Sequence, residues 1–219
     1  MFKDYQKINK EKVILYISKI NKNFDYKTFV KKHNLDLKTL KKYKINSNQK
    51  FVSFVLKKMI WNNFVKNEEN QNFEIKFNEF GKPFFENSRI HFNISHSHNY
   101  VIAAVSNEQI GIDIEKEKIV KLGISKFLLN PNDDEFYKTN LLECWNVKEA
   151  FSKLLGIGMT TFFSNFLIKN NTIQYLDNHA FFLKMILDQN KKICIASYQE
   201  IDKKNIKIIE IDNNYQDFF

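Results

Sequence analysis

Ile110-Gly111-Ile112-Asp113-Ile114-Glu115 alternates with a period of two. Read as a strand, it turns Ile110, Ile112 and Ile114 into a core and leaves Gly111, Asp113 and Glu115 on the opposite face. Gly111 has no side chain, so a ligand or another backbone can approach closely there. Alone, the run is an amphipathic strand with two solvated acids. Its neighbours decide what it belongs to.

Upstream, Ile90 to Ile94 alternates as another strand, His96-Ser97-His98-Asn99 makes a turn, and the apolar run Tyr100 to Val105 reads as a buried strand. Phe73 to Phe80, alternating as Phe73-Glu74-Ile75-Lys76-Phe77, also reads as a strand, broken at Gly81-Lys82-Pro83. Ser47 or Asn48 caps a helix reaching about Phe64, with Phe51, Val52, Val55, Leu56, Met59 and Ile60 as its apolar stripe. Val13, Ile14, Ile17 and Ile20 recur at helical spacing and predict a helix. Downstream, helical pattern covers Ile119 to Leu129 and then Asp133 to Leu155, with a break near Thr139-Asn140 and Gly156 as the C-terminal cap. From Phe162 onward the pattern is β: Phe166 to Ile168, Ile173 to Tyr175, Phe181 to Ile186, Ile193 to Tyr198 and Ile206 to Ile211. Each half reads as helix followed by strands. The polar link at 106–109 divides the chain into residues 1–106 and 107–219, and the class is α+β.

The 219 residues are 43% hydrophobic, enough to bury a real core in one large domain or two small ones. The 22 phenylalanines argue against disorder. A net charge of +9 would suit an anionic partner. Arg89 is the only arginine, however, and the lysines are scattered through a chain rich in Asn and Ile. Dedicated nucleic-acid readers use Arg at their contacts, so a basic RNA-binding protein is the weaker reading and no nucleic-acid partner is expected. Cys144 and Cys194 stand far apart, indicating neither a zinc site nor a disulfide framework. Met1 to Gln6 carries no signal-peptide stretch and no apolar run is long enough to span a bilayer, which predicts a cytoplasmic protein with no membrane partner.

Trp145-Asn146-Val147-Lys148-Glu149-Ala150-Phe151-Ser152-Lys153 adds a third carboxylate. Glu149 and Lys153 are four apart on one helix face, which alone is a surface pair of about 0.3–0.5 kcal/mol. Together with Asp113 and Glu115, the acids and adjacent ammoniums are what a divalent metal and a phosphate-bearing substrate need. Phe92-Asn93-Ile94-Ser95-His96-Ser97 ends a strand with groups able to donate to phosphate oxygens. A Ser-His nucleophile pair is not expected there, because adjacent strand residues point to opposite faces and no orienting acid is evident in the sequence. No Gly-x-Gly-x-x-Gly or Walker loop is present, and His96-Ser97-His98 lacks the spacing of a zinc site. Another Mg²⁺ phosphotransfer enzyme or a nuclease would share these features.

Taken in order, Gly81-Lys82-Pro83, Phe92 to Ser97, Ile110 to Glu115 and Trp145 to Lys153 resemble the 4′-phosphopantetheinyl transferase superfamily, of the longer, surfactin-synthetase-activating (Sfp-like) type. The motifs cover about residues 81–158. The resemblance implies a pseudo-twofold fold of two similar α+β halves with coenzyme A in the cleft between them. It implies transfer of the phosphopantetheine arm to a serine of an apo acyl or peptidyl carrier protein, releasing adenosine 3′,5′-bisphosphate, by a monomeric enzyme. Asp113, Glu115 and Glu149 would hold Mg²⁺, with Mn²⁺ as a substitute. The catalytic residues would be Glu149, Lys153 and Asp113, the serine proton passing to Glu149 or to water on the metal. Lys153 would meet a phosphate, with Lys148 assisting. Ser95 and His96 would bind coenzyme A phosphates, and Lys82 and Pro83 would line the adenine side. Where the family often has an arginine for the 3′-phosphate, Lys50 is the nearest candidate, and it lacks the bidentate fork. An acid expected after Asn130-Pro131 is Asp133 or Asp134. Lys116, Lys118 and Lys121 could help dock an acidic carrier, whether of fatty-acid, polyketide or peptide synthesis.

Overall fold

In the computed structural model, which describes residues 13–66, 72–116, 122–188, 191–213 and 215, the alternating run forms β6 (Ile110–Lys116). It pairs antiparallel with β10 (Lys191–Ser197), Asp113 opposite Cys194. The sheet continues through β9 (Asn178–Ile186) and β8 (Thr172–Tyr175) to β7 (Leu167–Lys169). A second sheet has the order β11 (Ile206–Ile211), β1 (Val13–Lys19), β5 (Tyr100–Ser106) and β4 (His91–Ser97). β11 runs parallel to β1, so this sheet takes strands from both ends of the chain. A two-stranded ribbon, β2 (Lys76–Phe77) with β3 (Pro83–Phe84), stands apart.

The layers follow from which residues alternate inward. Val13, Leu15, Ile17, Ile102 and Ala104 meet Ile110, Ile112, Ile114, Ile193 and Ile195 in a core between the two sheets. The outer face of the β11-β1-β5-β4 sheet packs on α3 (Asn48–Ile60), which continues through a π turn at Trp61–Val65. Ser47 caps this helix by accepting the Lys50 N–H, a bond of about 1 kcal/mol. Two short helices, α1 (Tyr26–Lys32) and α2 (Leu37–Lys42), precede it, capped by Asp25 and Asp36. The outer face of the five-stranded sheet that carries β6 packs on α6 (Leu141–Leu155), preceded by α4 (Ser125–Leu128) and α5 (Glu135–Thr139). The break expected near Thr139-Asn140 falls between α5 and α6. Gly156 ends α6 in the left-handed region at φ 73°, where glycine carries no Cβ penalty.

Three expectations are corrected. Val13 to Ile20 is a strand, not a helix. β1 lies inside a four-layer stack with both faces buried, so its apolar residues run almost continuously and match a helical spacing by coincidence. The strand expected over 73–80 shrinks to Lys76–Phe77, and Phe73 turns into the aromatic cluster of Phe54, Trp61 and Phe85. β4 extends through Ser97, leaving only His98-Asn99 for the turn, with His98 at φ 53°. The start of the helix expected at Ile119, together with Lys118 and Lys121, lies outside the described residues. Among the described residues, no helix is long and apolar enough to cross a membrane.

Candidate active site

α6 crosses β6 with its backbone against Gly111. A Cβ at position 111 would overlap the Ala150 carbonyl oxygen and the Leu154 amide nitrogen. Of the two approaches that a glycine here allows, the close neighbour is a helix backbone. This contact sets Asp113, two residues on and on the same strand face, directly under the helix.

β4 closes the site from the other side. Its side chains bridge the gap between the sheets: the Ile112 N–H donates to Asn93 Oδ1 at 3.1 Å, and the Ile114 N–H to Ser95 Oγ at 3.3 Å. Ser95 Oγ then donates to Asp113 Oδ1 at 2.8 Å. Lys153 Nζ reaches Asp113 Oδ1 at 2.7 Å, Ser95 Oγ at 2.9 Å and Glu149 Oε1 at 3.2 Å. Asn146 Nδ2 takes the remaining Asp113 oxygen, Oδ2, at 2.8 Å. Asp113, only 2% exposed, is therefore held from β4 and from α6 at once.

The electrostatics follow from this crowding. Burial, and then the neighbouring Asp113 charge, push the Glu149 carboxyl above the ordinary glutamate value, although Lys153 opposes them. Burial alone would pull Lys153 down; Asp113 and Glu149 outweigh it, and its ammonium is held more firmly than a free lysine. His96 stays below the ordinary imidazole value, first through desolvation and then through the Lys153 charge. Lys82 is drawn down to about 8 by burial.

Asp113, Glu115 and Glu149 each present an oxygen within 4.8 Å of the others. Opposed ligands of a Mg²⁺ ion at bonds of about 2.1 Å stand about 4.2 Å apart. Three carboxylates that close are the hard oxygen donors such an ion takes, so the residues fit the metal.

The Gly-Lys-Pro turn folds onto the end of α6. Lys82 Nζ donates to the Leu154 carbonyl at 2.8 Å, and Asn78 Nδ2 to the Gly156 carbonyl at 2.8 Å. Lys82 and Pro83 line a cavity of about 210 Å³ together with Phe80, Asn93, Ile94 and Lys153. Asp113, Glu115, Glu149, Lys153 and Ser95 are thus brought together. Lys82 and Pro83 adjoin them, and His96 lies within the field of Lys153.

Two expected residues are not brought in. Lys148 points away from the site and is fully buried. Its ammonium donates to Asp133 Oδ2 at 2.7 Å, to the Phe166 carbonyl at 2.8 Å and to the Leu128 carbonyl at 3.0 Å. All three of its donors are used, which leaves none for a phosphate. One helical position separates Lys148 from Glu149, and about 100° of rotation sends it to the opposite core. Lys50 sits exposed in the first turn of α3, and no side-chain hydrogen bond or ion pair ties it to the cluster among the described residues. The two acids after Asn130-Pro131 are also structural. Asp133 pairs with Lys148 and accepts the Asn130 and Ile168 N–H groups, while Asp134 accepts the Asn170 N–H. Sequence reasoning missed Asn93 and Asn146. The available signals were that Asn93 shares a strand face with Ser95, and that Asn146 lies three before Glu149.

Over 143 residues, 62% of this chain and 56% of the relative, the sequence is 33% identical to 4′-phosphopantetheinyl transferase gsp of Aneurinibacillus migulanus. The chain is a sequence relative of the 4′-phosphopantetheinyl transferases. It is also 32% identical to 4′-phosphopantetheinyl transferase Sfp of Bacillus subtilis (strain 168), over 49% of this chain and 55% of the relative. To 4′-phosphopantetheinyl transferase ffp of Bacillus subtilis it is 34% identical, over 44% of this chain and 48% of the relative. The chain spans about half the length of the curated transferases it matches. This is the family that the ordered motifs resemble. No protein-family model matches the chain.

Proposed function

We propose that this chain transfers the 4′-phosphopantetheine arm of coenzyme A to a serine of an apo carrier protein, with Mg²⁺. The observation that carries the reading is the Asp113, Glu115 and Glu149 cluster with Lys153 set between two of its acids, in a relative of transferases of that name. In the transfer the serine oxygen forms a bond to the β-phosphorus of coenzyme A, the pyrophosphate P–O bond breaks, and adenosine 3′,5′-bisphosphate leaves.

Asp113, Glu115 and Glu149 would hold the metal. When bound, it neutralises charge that builds on the phosphates in phosphoryl transfer. Lys153 supplies a second cation, kept protonated by Asp113 and Glu149. Glu149, a quarter exposed and 3.2 Å from Lys153, is the group that would take the serine proton. Ser95 and His96 would bind coenzyme A phosphates, and Lys82 and Pro83 would line the adenine side. We read residues 1–106 and 107–219 as pseudo-twofold halves with the site in their cleft. In support, β4 belongs to one and β6 and α6 to the other. The enzyme would act as a cytoplasmic monomer.

The test is to incubate the protein with coenzyme A, Mg²⁺ and an apo fatty-acid carrier and to look for the phosphopantetheine mass increase. Transfer that Glu149→Ala abolishes supports the reading. Full transfer by that variant removes Glu149 from the mechanism, and no transfer to acyl or peptidyl carriers overturns the reading itself.

A further inference from the structure

Asn146 is wholly buried on the face of α6 that carries Glu149 and Lys153, three and seven positions before them. Its Nδ2 donates to Asp113 Oδ2 at 2.8 Å. Its Oδ1 has no partner among the described residues. The opposite amide orientation would set oxygen against carboxylate oxygen, so the donor must face Asp113. A buried amide satisfied on one side only is a poor packing choice, because an apolar side chain there would have no polar atom to desolvate. What this position keeps, at that cost, is an N–H aimed at one carboxylate oxygen.

The partners of Asp113 are not equivalent. Ser95 and Lys153 both bind Oδ1, and both have other engagements: Ser95 accepts the Ile114 N–H, and Lys153 also holds Glu149. In the proposed reaction Lys153 turns to a phosphate. Asn146 Nδ2 has Asp113 as its partner, and it stands on a helix seated against β6 at Gly111. It is the tether that substrate binding would leave in place.

We propose that Asn146 is a positioning residue that fixes the Asp113 carboxylate for metal binding. The inference rests on the metal-dependent reading above. Groups that orient a metal-binding carboxylate typically change metal affinity by about 10–100-fold when removed.

Mn²⁺ alone is the probe, titrated into the whole chain without coenzyme A and followed by the electron paramagnetic resonance of the free ion. Asn146→Ala is expected to bind Mn²⁺ about 10–100-fold more weakly than the wild type. Asn146→Ser, which retains an O–H donor, is expected to recover part of that loss. Circular dichroism and the thermal midpoint establish that each variant is folded, and the similarly branched Asn146→Leu replaces Ala if the cavity unfolds the helix. A structural role alone would lower the midpoint of both variants and leave the Mn²⁺ affinity of the folded protein unchanged. That result overturns the inference, as does a serine variant no better than alanine. If the wild type itself takes up no Mn²⁺, the metal reading fails and this inference falls with it. If the wild type binds and Asn146→Ala binds as tightly, only the inference about Asn146 falls.

Discussion

Lys153 on α6 lies 2.7 Å from Asp113 on β6, an ion pair joining a helix to a strand 40 residues earlier. Asp113 is nearly buried and Lys153 is partly open, with 24% of its side chain exposed. The acid is therefore held and the cation can be offered to a ligand. Asp113→Asn keeps the shape and removes the charge. Transfer to an apo carrier, measured with fluorescent coenzyme A, is expected to fall by at least about 100-fold, the scale of losing one preorganised electrostatic group. Retained Mn²⁺ binding and transfer would remove Asp113 from the site.

Gly111→Ala tests the contact beneath that pair. The new methyl meets the backbone of Ala150 and Leu154, which cannot rotate away as a side chain can. A loss of about 3 kcal/mol is expected, at the upper end for overpacking. It would be read as a lowered urea midpoint at unchanged slope.

Lys148 separates a structural lysine from a phosphate-binding one. Both side chains of the Lys148–Asp133 pair are fully buried, at 0% exposure. Lys148→Met leaves an unpaired buried carboxylate and is expected to cost about 3–5 kcal/mol. Coenzyme A affinity of the folded variant, measured by calorimetry at low temperature, should match the wild type. Weakened binding with full stability would restore Lys148 to the site.

Lys82 gives a pH dependence with a definite sign. Its folded pKa is about 8 against 10.5 for the free side chain. Between those values the unfolded chain binds a proton that the native chain does not, so stability rises with pH across the window. The cost of holding the charged form is fully present below about pH 8. Lys82→Met should therefore gain stability relative to the wild type at pH 7, and the gain should shrink as pH approaches 10.5. An anion bound beside Lys82 would raise its pKa. Coenzyme A binding near pH 8 should then take up protons, seen as a dependence of the calorimetric enthalpy on buffer ionisation, and Lys82→Met should remove that uptake.

β6, β4, β5 and α6 were legible because each carries a local pattern that its surroundings do not contradict. The alternation of Ile110 to Glu115 separated the two faces: the isoleucines are in the core as expected, while Gly111 and Asp113, read as facing out, are buried beneath α6. β1 was misread because burial on both faces erases the period on which the reading depends. Phe73 was misread because an aromatic residue at a strand position can as well turn into a core.

For the site, sequence alone determined which acids and cations share a face of one element. Asp113 and Glu115 share a strand face, and Glu149 and Lys153 share a helix face, through the fixed geometry of each element. Tertiary structure alone decided which neighbours those groups meet. Lys148 and Glu149 are adjacent in the chain, yet helical rotation sends one to Asp133 in the core and the other to Asp113. Asn146 joins the site only because Gly111 lets α6 settle against β6. Distances between elements depend on how two surfaces pack, and no periodicity within a single segment encodes that.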